Sequence, residues 1–92
     1  MKLTDIAIKN SKVIVSRKVE DSMLLVFIDN NTGALLEGIT ETVWRLINGK
    51  RTISEIIKKA PKECSGIYKK KKKYILEAID DLKKINAIRF KK

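Results

Sequence analysis

The chain contains no histidine, a single cysteine and only four glycines, and each scarcity removes a class of function. Without histidine, the side chain that changes charge near neutral pH is missing. One cysteine, Cys64, cannot form an internal disulfide and has no CxxC partner, so neither a thiolate metal cluster nor an iron–sulfur site can be built from it. No glycine-rich phosphate loop is present. No apolar run approaches the roughly 20 residues of a membrane span, and no signal-peptide pattern opens the sequence. These absences make an enzymatic reading weak, lead to the expectation of a cytoplasmic protein, and give no reason to expect a cofactor. Asp80 and Asp81, adjacent on an expected helix, point to different faces rather than into one shared site.

Acidic residues are also in the minority. Against 21 Lys and Arg stand 11 Asp and Glu, a net charge of +10 that favours an acidic partner without choosing its kind. Ninety-two residues leave room for one domain, and 43% hydrophobic with 35% charged residues describes a foldable chain with a small core.

The best-punctuated stretch is Thr40 to Ile57. Thr40 is a candidate N-cap, Val43, Trp44 and Ile47 share one side of a short helix, and Gly49 is a residue that commonly ends helices. A second start follows at once, because Thr52-Ile-Ser-Glu55 is a capping-box pattern. Ile53, Ile56, Ile57 and Ala60 then repeat at helical spacing. Two short amphipathic helices around a glycine turn read as a helix-turn-helix-like corner, or as an ordinary helical hairpin in a small core.

Before this corner the period is two. Met1 to Asn10 reads as an arm or a short strand. In Val13 to Val19, Val13, Val15 and Val19 alternate with Ile14, Ser16 and Lys18 in a β-branched strand. Met23 to Ile28 is a second strand, apolar on both faces, so it is either covered twice or leaves one face awaiting a partner. Asp29 to Gly33 is a turn rich in residues that tolerate positive φ, and Ala34 to Glu37 is a short third strand. The simplest arrangement is an antiparallel meander with the first and third strands at its edges. After the corner, Pro61 to Gly66 reads as a loop or frayed helix end. Ile67 to about Ile85 is the longest helix, with Tyr68, Lys72, Ile75, Ile79 and Leu82 on one stripe. Asn86 ends it, and Ala87 to Phe90 is a short closing strand. The fold class expected is therefore α+β and winged helix-turn-helix-like, an N-terminal three-stranded antiparallel sheet followed by three helices. Residues 1–12 would be an arm, 13–90 the domain and 91–92 a basic tail.

Three pieces of this pattern occur together: the Asp29-x-x-Thr32-Gly33 turn, Val43-Trp44-x-Leu46-Ile47-x-Gly49, and Arg51-Thr52-Ile53-x-Glu55-Ile56. Together they resemble the PqqD family of peptide-binding domains, also called RiPP recognition elements, over Val13 to Phe90. Glu37-Gly-Ile-Thr40 stands where the family commonly has Asn-Glu-Thr/Ser-Gly. The resemblance implies a non-catalytic adaptor. Such a domain captures the leader segment of a ribosomally made precursor peptide and presents it to a modifying enzyme, either a radical SAM protein or a leader peptidase. It further implies binding by strand addition, with the leader paired to the third strand and packed against the third helix. On that match the peptide-binding candidates are Ala34, Leu35, Leu36 and Glu37 on the strand, and Lys72, Ile75, Ala78, Ile79 and Leu82 on the helix. Lys69, Lys70, Lys71 and Lys73 would steer an acidic leader. Such a site would take affinity from main-chain pairing and specificity from side-chain pockets.

Each singled-out residue also has a plain structural role. Trp44 is first of all a core residue, Thr52 and Glu55 a helix cap, and a lysine run such as Lys69 to Lys73 a solvated face. The second functional reading is a small winged-helix DNA-binding protein. Its third helix would lie in the major groove and its last strand in the wing. Clustered lysines and few Arg, Asn or Gln on the helix weigh against nucleic acid. A membrane surface ranks third, since the apolar stripe of the helix is committed to the core.

Overall fold

A computed structural model describes residues 2–19, 22–29, 31–63 and 71–91 of the chain. The period of two in the first third builds the main sheet. Strand β2 (Val13–Val19), β3 (Ser22–Phe27) and β4 (Thr32–Glu37) form an antiparallel meander in the order β2-β3-β4, which leaves β2 and β4 as its edges. On β3, Met23, Leu25 and Phe27 are buried, while Leu24 on the opposite face is exposed. Of the two expectations for this doubly apolar strand, the uncovered face is what forms. Ile14, Leu24 and Leu35 lie there, each at least 36% exposed.

The alternation expected along β2 does not hold throughout. A bulge between Val15 and Arg17 shifts the register, so that Val13, Val15 and Lys18 stand opposite the buried Phe27, Leu25 and Met23. The extra residue carries Lys18 to the inner side and Arg17 to the outer one, opposite Leu24. At the β3–β4 turn, Asn31 takes φ 56°, the left-handed conformation expected of this segment.

Three helices share one core with the inner face. Helix α1 (Ile39–Leu46) begins at Gly38 rather than at Thr40. Gly38 sits at φ 57° and ψ −126°, a conformation open to glycine and strained for a side chain. Helix α2 (Ile53–Glu63) starts with the expected capping box. The Thr52 hydroxyl accepts from Glu55 N–H at 3.2 Å, and Glu55 Oε1 accepts from Thr52 N–H at 3.0 Å. Pro61, expected in a loop, lies inside α2, which continues to Glu63. At that place the ring removes the N–H that would donate to Ile57 O, so α2 gives up one helical bond there. Helix α3 (Lys71–Lys84) ends in a Schellman arrangement. Asn86 stands at φ 63°, Ala87 N–H donates to Leu82 O at 2.9 Å, and Asn86 N–H donates to Lys83 O at 3.0 Å.

The N-terminal segment forms the strand of its two expectations and is not a free arm. Strand β1 (Ala7–Lys9) pairs antiparallel with β5 (Ile88–Phe90) as a separate two-stranded ribbon. Just before it, Asp5 O and Leu3 O accept from Ile53 and Ser54 N–H, at 2.9 Å each. Those are first-turn donors of α2 that have no partner within the helix. The segment is held because it supplies their acceptors.

One core joins these parts. Leu25 and Met23 from the sheet meet Val43, Trp44 and Ile47 of the first helical segment, Ile53, Ile56 and Ala60 of α2, and Ile75, Ala78, Ile79 and Leu82 of α3. The chain is thus a mixed α+β domain with an antiparallel sheet and three helices.

Candidate functional site

The free edge of β4 is the structural origin of the candidate site. Its partner on one side is β3, and no strand pairs with it on the other side among the described residues. An edge of this kind carries main-chain donors and acceptors that need water or another strand. Beside it runs a trough of about 390 Å³, lined by Ala34, Leu35, Leu36 and Glu37 of β4, Thr40 of α1, and Asp81, Leu82 and Ile85 at the end of α3. A second hollow of about 300 Å³ shares Ile85 and continues to the start of β4. Thr32, Phe27 and Asn86 line it, with Lys12, Asp29 and Arg89 around it. Together they follow β4 from Thr32 to Glu37.

Why the trough sits there follows from where α3 stops. Leu82 is fully buried, whereas Ile85, one turn further, is 40% exposed. Asn86 then turns the chain away in its left-handed conformation. The helix end therefore leaves an apolar side chain beside β4 instead of sealing against it.

The expected site residues divide into three groups. Ala34, Leu35, Leu36, Glu37 and Leu82 line the trough. Ile75, Ala78 and Ile79 do not, because each is buried in the core at 2% exposure or less. These three pack inward instead of along the trough. A single helical stripe serves one neighbour, and here the neighbours are the core residues of the sheet, α1 and α2. Lys72 and Lys73 are exposed on the first turn of α3 and line neither hollow. Lys69 and Lys70 lie outside the described residues, as does the side chain of Lys71; Cys64 and Tyr68 are likewise outside them.

Sequence reasoning missed Thr40, Asp81, Ile85, Asn86 and Arg89 as lining residues. Ile85 was within reach, since it continues the Ala78–Leu82 side of the helix at a spacing of three or four. Arg89 was not, because its place depends on β5 pairing with the distant β1.

Away from the trough, the charged groups serve the fold. Glu41, in the first turn of α1, is 2% exposed, and its Oε1 is held by Lys18 Nζ and Arg45 Nε, each at 3.2 Å. Arg51 donates from its guanidinium to Leu46 O at 2.8 Å, closing the end of α1, and Asn48 Oδ1 accepts from the N–H groups of Lys50 and Arg51. Trp44 is buried, and the Lys9 ammonium lies 4.8 Å from its ring centroid. Burial there lowers the Lys9 pKa from its ordinary value. Among the described residues no cluster of His, Cys, Asp or Glu is placed to hold a metal ion. No described helix is long and apolar enough to cross a membrane.

A free strand edge facing an apolar trough is the geometry of a site for an extended peptide. Compared with protein-family models, with curated proteins and with solved structures, the chain finds no match.

Proposed function

We propose that this protein is a peptide-binding adaptor of the PqqD-like kind. It takes the leader segment of a precursor peptide as an added strand on β4 and presents the remainder to a modifying enzyme. The observation that carries this reading is the unpaired edge of β4 lying along a trough walled by Leu82 and Ile85. Main-chain pairing on such an edge supplies affinity with little demand on sequence, and the trough supplies selection of side chains. Tethering raises the effective concentration of the attached segment at the enzyme, so the adaptor needs no chemistry of its own. The β2-β3-β4 meander followed by three helices agrees with the winged helix-like architecture of that family. The turn, Trp44 and Arg51-Thr52 motifs agree with it at the sequence level.

The DNA-binding reading draws less support. After its first turn α3 exposes Glu77 and Asp80 as well as Lys83 and Lys84, and carboxylates there would face phosphates. The last strand, which would serve as a wing, is paired with β1.

The test is a selection from a displayed library of random linear peptides, followed by amide hydrogen exchange on the bound complex. Strand addition slows exchange of β4 amides between Thr32 and Glu37, and binding persists in moderate salt. Recovery of no binder, or of binders that leave β4 exchange unchanged, overturns the reading.

A further inference from the structure

Charge is not spread evenly along the trough. At the Glu37 end stand two exposed carboxylates, Asp81 on the helix side of β4 and Glu37 on the face it shares with Leu35. At the Thr32 end stand Arg89 and Lys12. Lys12 is already engaged, its Nζ 3.5 Å from Asp29 Oδ1, so Arg89 is the cation left over there. Among the described residues, Glu37, Asp81 and Arg89 enter no ion pair. Between the two ends the wall is Ile85, common to both hollows. The four steps of β4 from Thr32 to Leu36, residues that share the helix-facing side, span about 13 Å, the length of a short extended segment.

We propose that the trough selects its peptide by charge order. The added strand places a basic side chain against Asp81, an apolar one over Ile85, and an acidic one against Arg89. This rests on strand addition at β4 and says what that strand carries. A net charge of +10 alone would attract any acidic peptide and would give no preference for one charge order over its inverse. Charges fixed at the two ends of a groove do give one, since they set register and penalise like-charge placement. The pairing also fixes the direction in which the peptide runs. That direction determines from which end of the trough the rest of the precursor emerges.

Three synthetic peptides on one β-branched, apolar backbone test this. One carries a lysine followed four positions later by an aspartate, so that both project to the same side of the strand. The second has the two exchanged, and the third has glutamine at both places. The expected result is that one charge order binds roughly tenfold tighter than the other, with the glutamine peptide between them. In the triple variant Glu37→Lys, Asp81→Lys, Arg89→Glu the preference inverts. All three substitutions are at exposed positions, and unchanged thermal unfolding checks that the variant is folded. Equal binding of the three peptides, with β4 amides protected in each, overturns the charge order and leaves the adaptor reading intact. A preference that survives unchanged in the triple variant also overturns it. If none of the three binds while the library yields β4-protecting binders, the charge order is again wrong. If neither binds, strand addition itself fails.

Discussion

Glu41 is the residue on which the sheet and the helices are joined by charge. A carboxylate at 2% exposure would be costly alone, but Lys18 reaches it from β2 and Arg45 from the next turn of α1. Because both cations remain partly exposed, removing the carboxylate strands no buried charge. Glu41→Ala should therefore cost about 1–3 kcal/mol, in the range of hydrogen bonds to charged groups, read as a lower urea midpoint at unchanged slope. Glu55 makes the opposite case, a fully exposed carboxylate with a local task. The Thr52 N–H it accepts holds its pKa below the usual glutamate value. The ionised form is the one favoured on folding, so its contribution is present above the unfolded glutamate pKa of about 4.3 and is lost as pH falls through the lower folded value. A carbon-detected titration should show Glu55 as an acid-shifted carboxyl, and Thr52→Ala, which removes the hydroxyl but keeps the N–H, should leave part of that shift in place.

Among the elements, α3 has a divided role. Its inner stripe of Ile75, Ala78, Ile79 and Leu82 holds the core, and the residue just past its end, Ile85, lines the trough. Two truncations separate these duties. Ile79→Ala should cost about 2–5 kcal/mol in chemical denaturation, as a fully buried residue leaving a cavity. Ile85→Ala should change stability by no more than about 0.5 kcal/mol yet weaken peptide capture on β4. A similar loss of stability in both would mean that Ile85 belongs to the core. The elements also show what local sequence can express. The capping box at Thr52 and Glu55, the turn at Asn31 and the stop at Asn86 are legible because their chemistry is complete within four or five residues. Pro61 misled because proline is a strong local stop signal, whereas here the helix gives up one main-chain bond and continues to Glu63. The β2 bulge was invisible because the reward for it, Lys18 meeting Glu41, lies 23 positions away. The site was half legible: a free edge on β4 follows from strand order, but which face of α3 meets it depends on core packing that no local pattern records.

At the scale of the whole molecule, two sheets of different kinds are joined through one core. The β2-β3-β4 meander is made of neighbours in sequence, linked by short turns. The β1–β5 ribbon matches Ala7 with Phe90 and Lys9 with Ile88. It has only three residue pairs, but both strands place buried side chains, Ala7 and Ile88, against the rest. Native-state hydrogen exchange should find the ribbon opening at a lower free energy than the meander's central strand, together with the Ile53 and Ser54 amides that Asp5 O and Leu3 O accept. Exchange of the ribbon only through global unfolding would contradict this.

The same ribbon imposes an order in time. Closing a loop between Ala7 and Phe90 in the open chain carries an entropy cost that rises with loop length, and that cost falls once the meander and helices have already formed. The expected order is that folding starts in the meander and finishes at the ribbon. Mutations in β1 or β5 would speed unfolding while leaving the folding rate nearly unchanged.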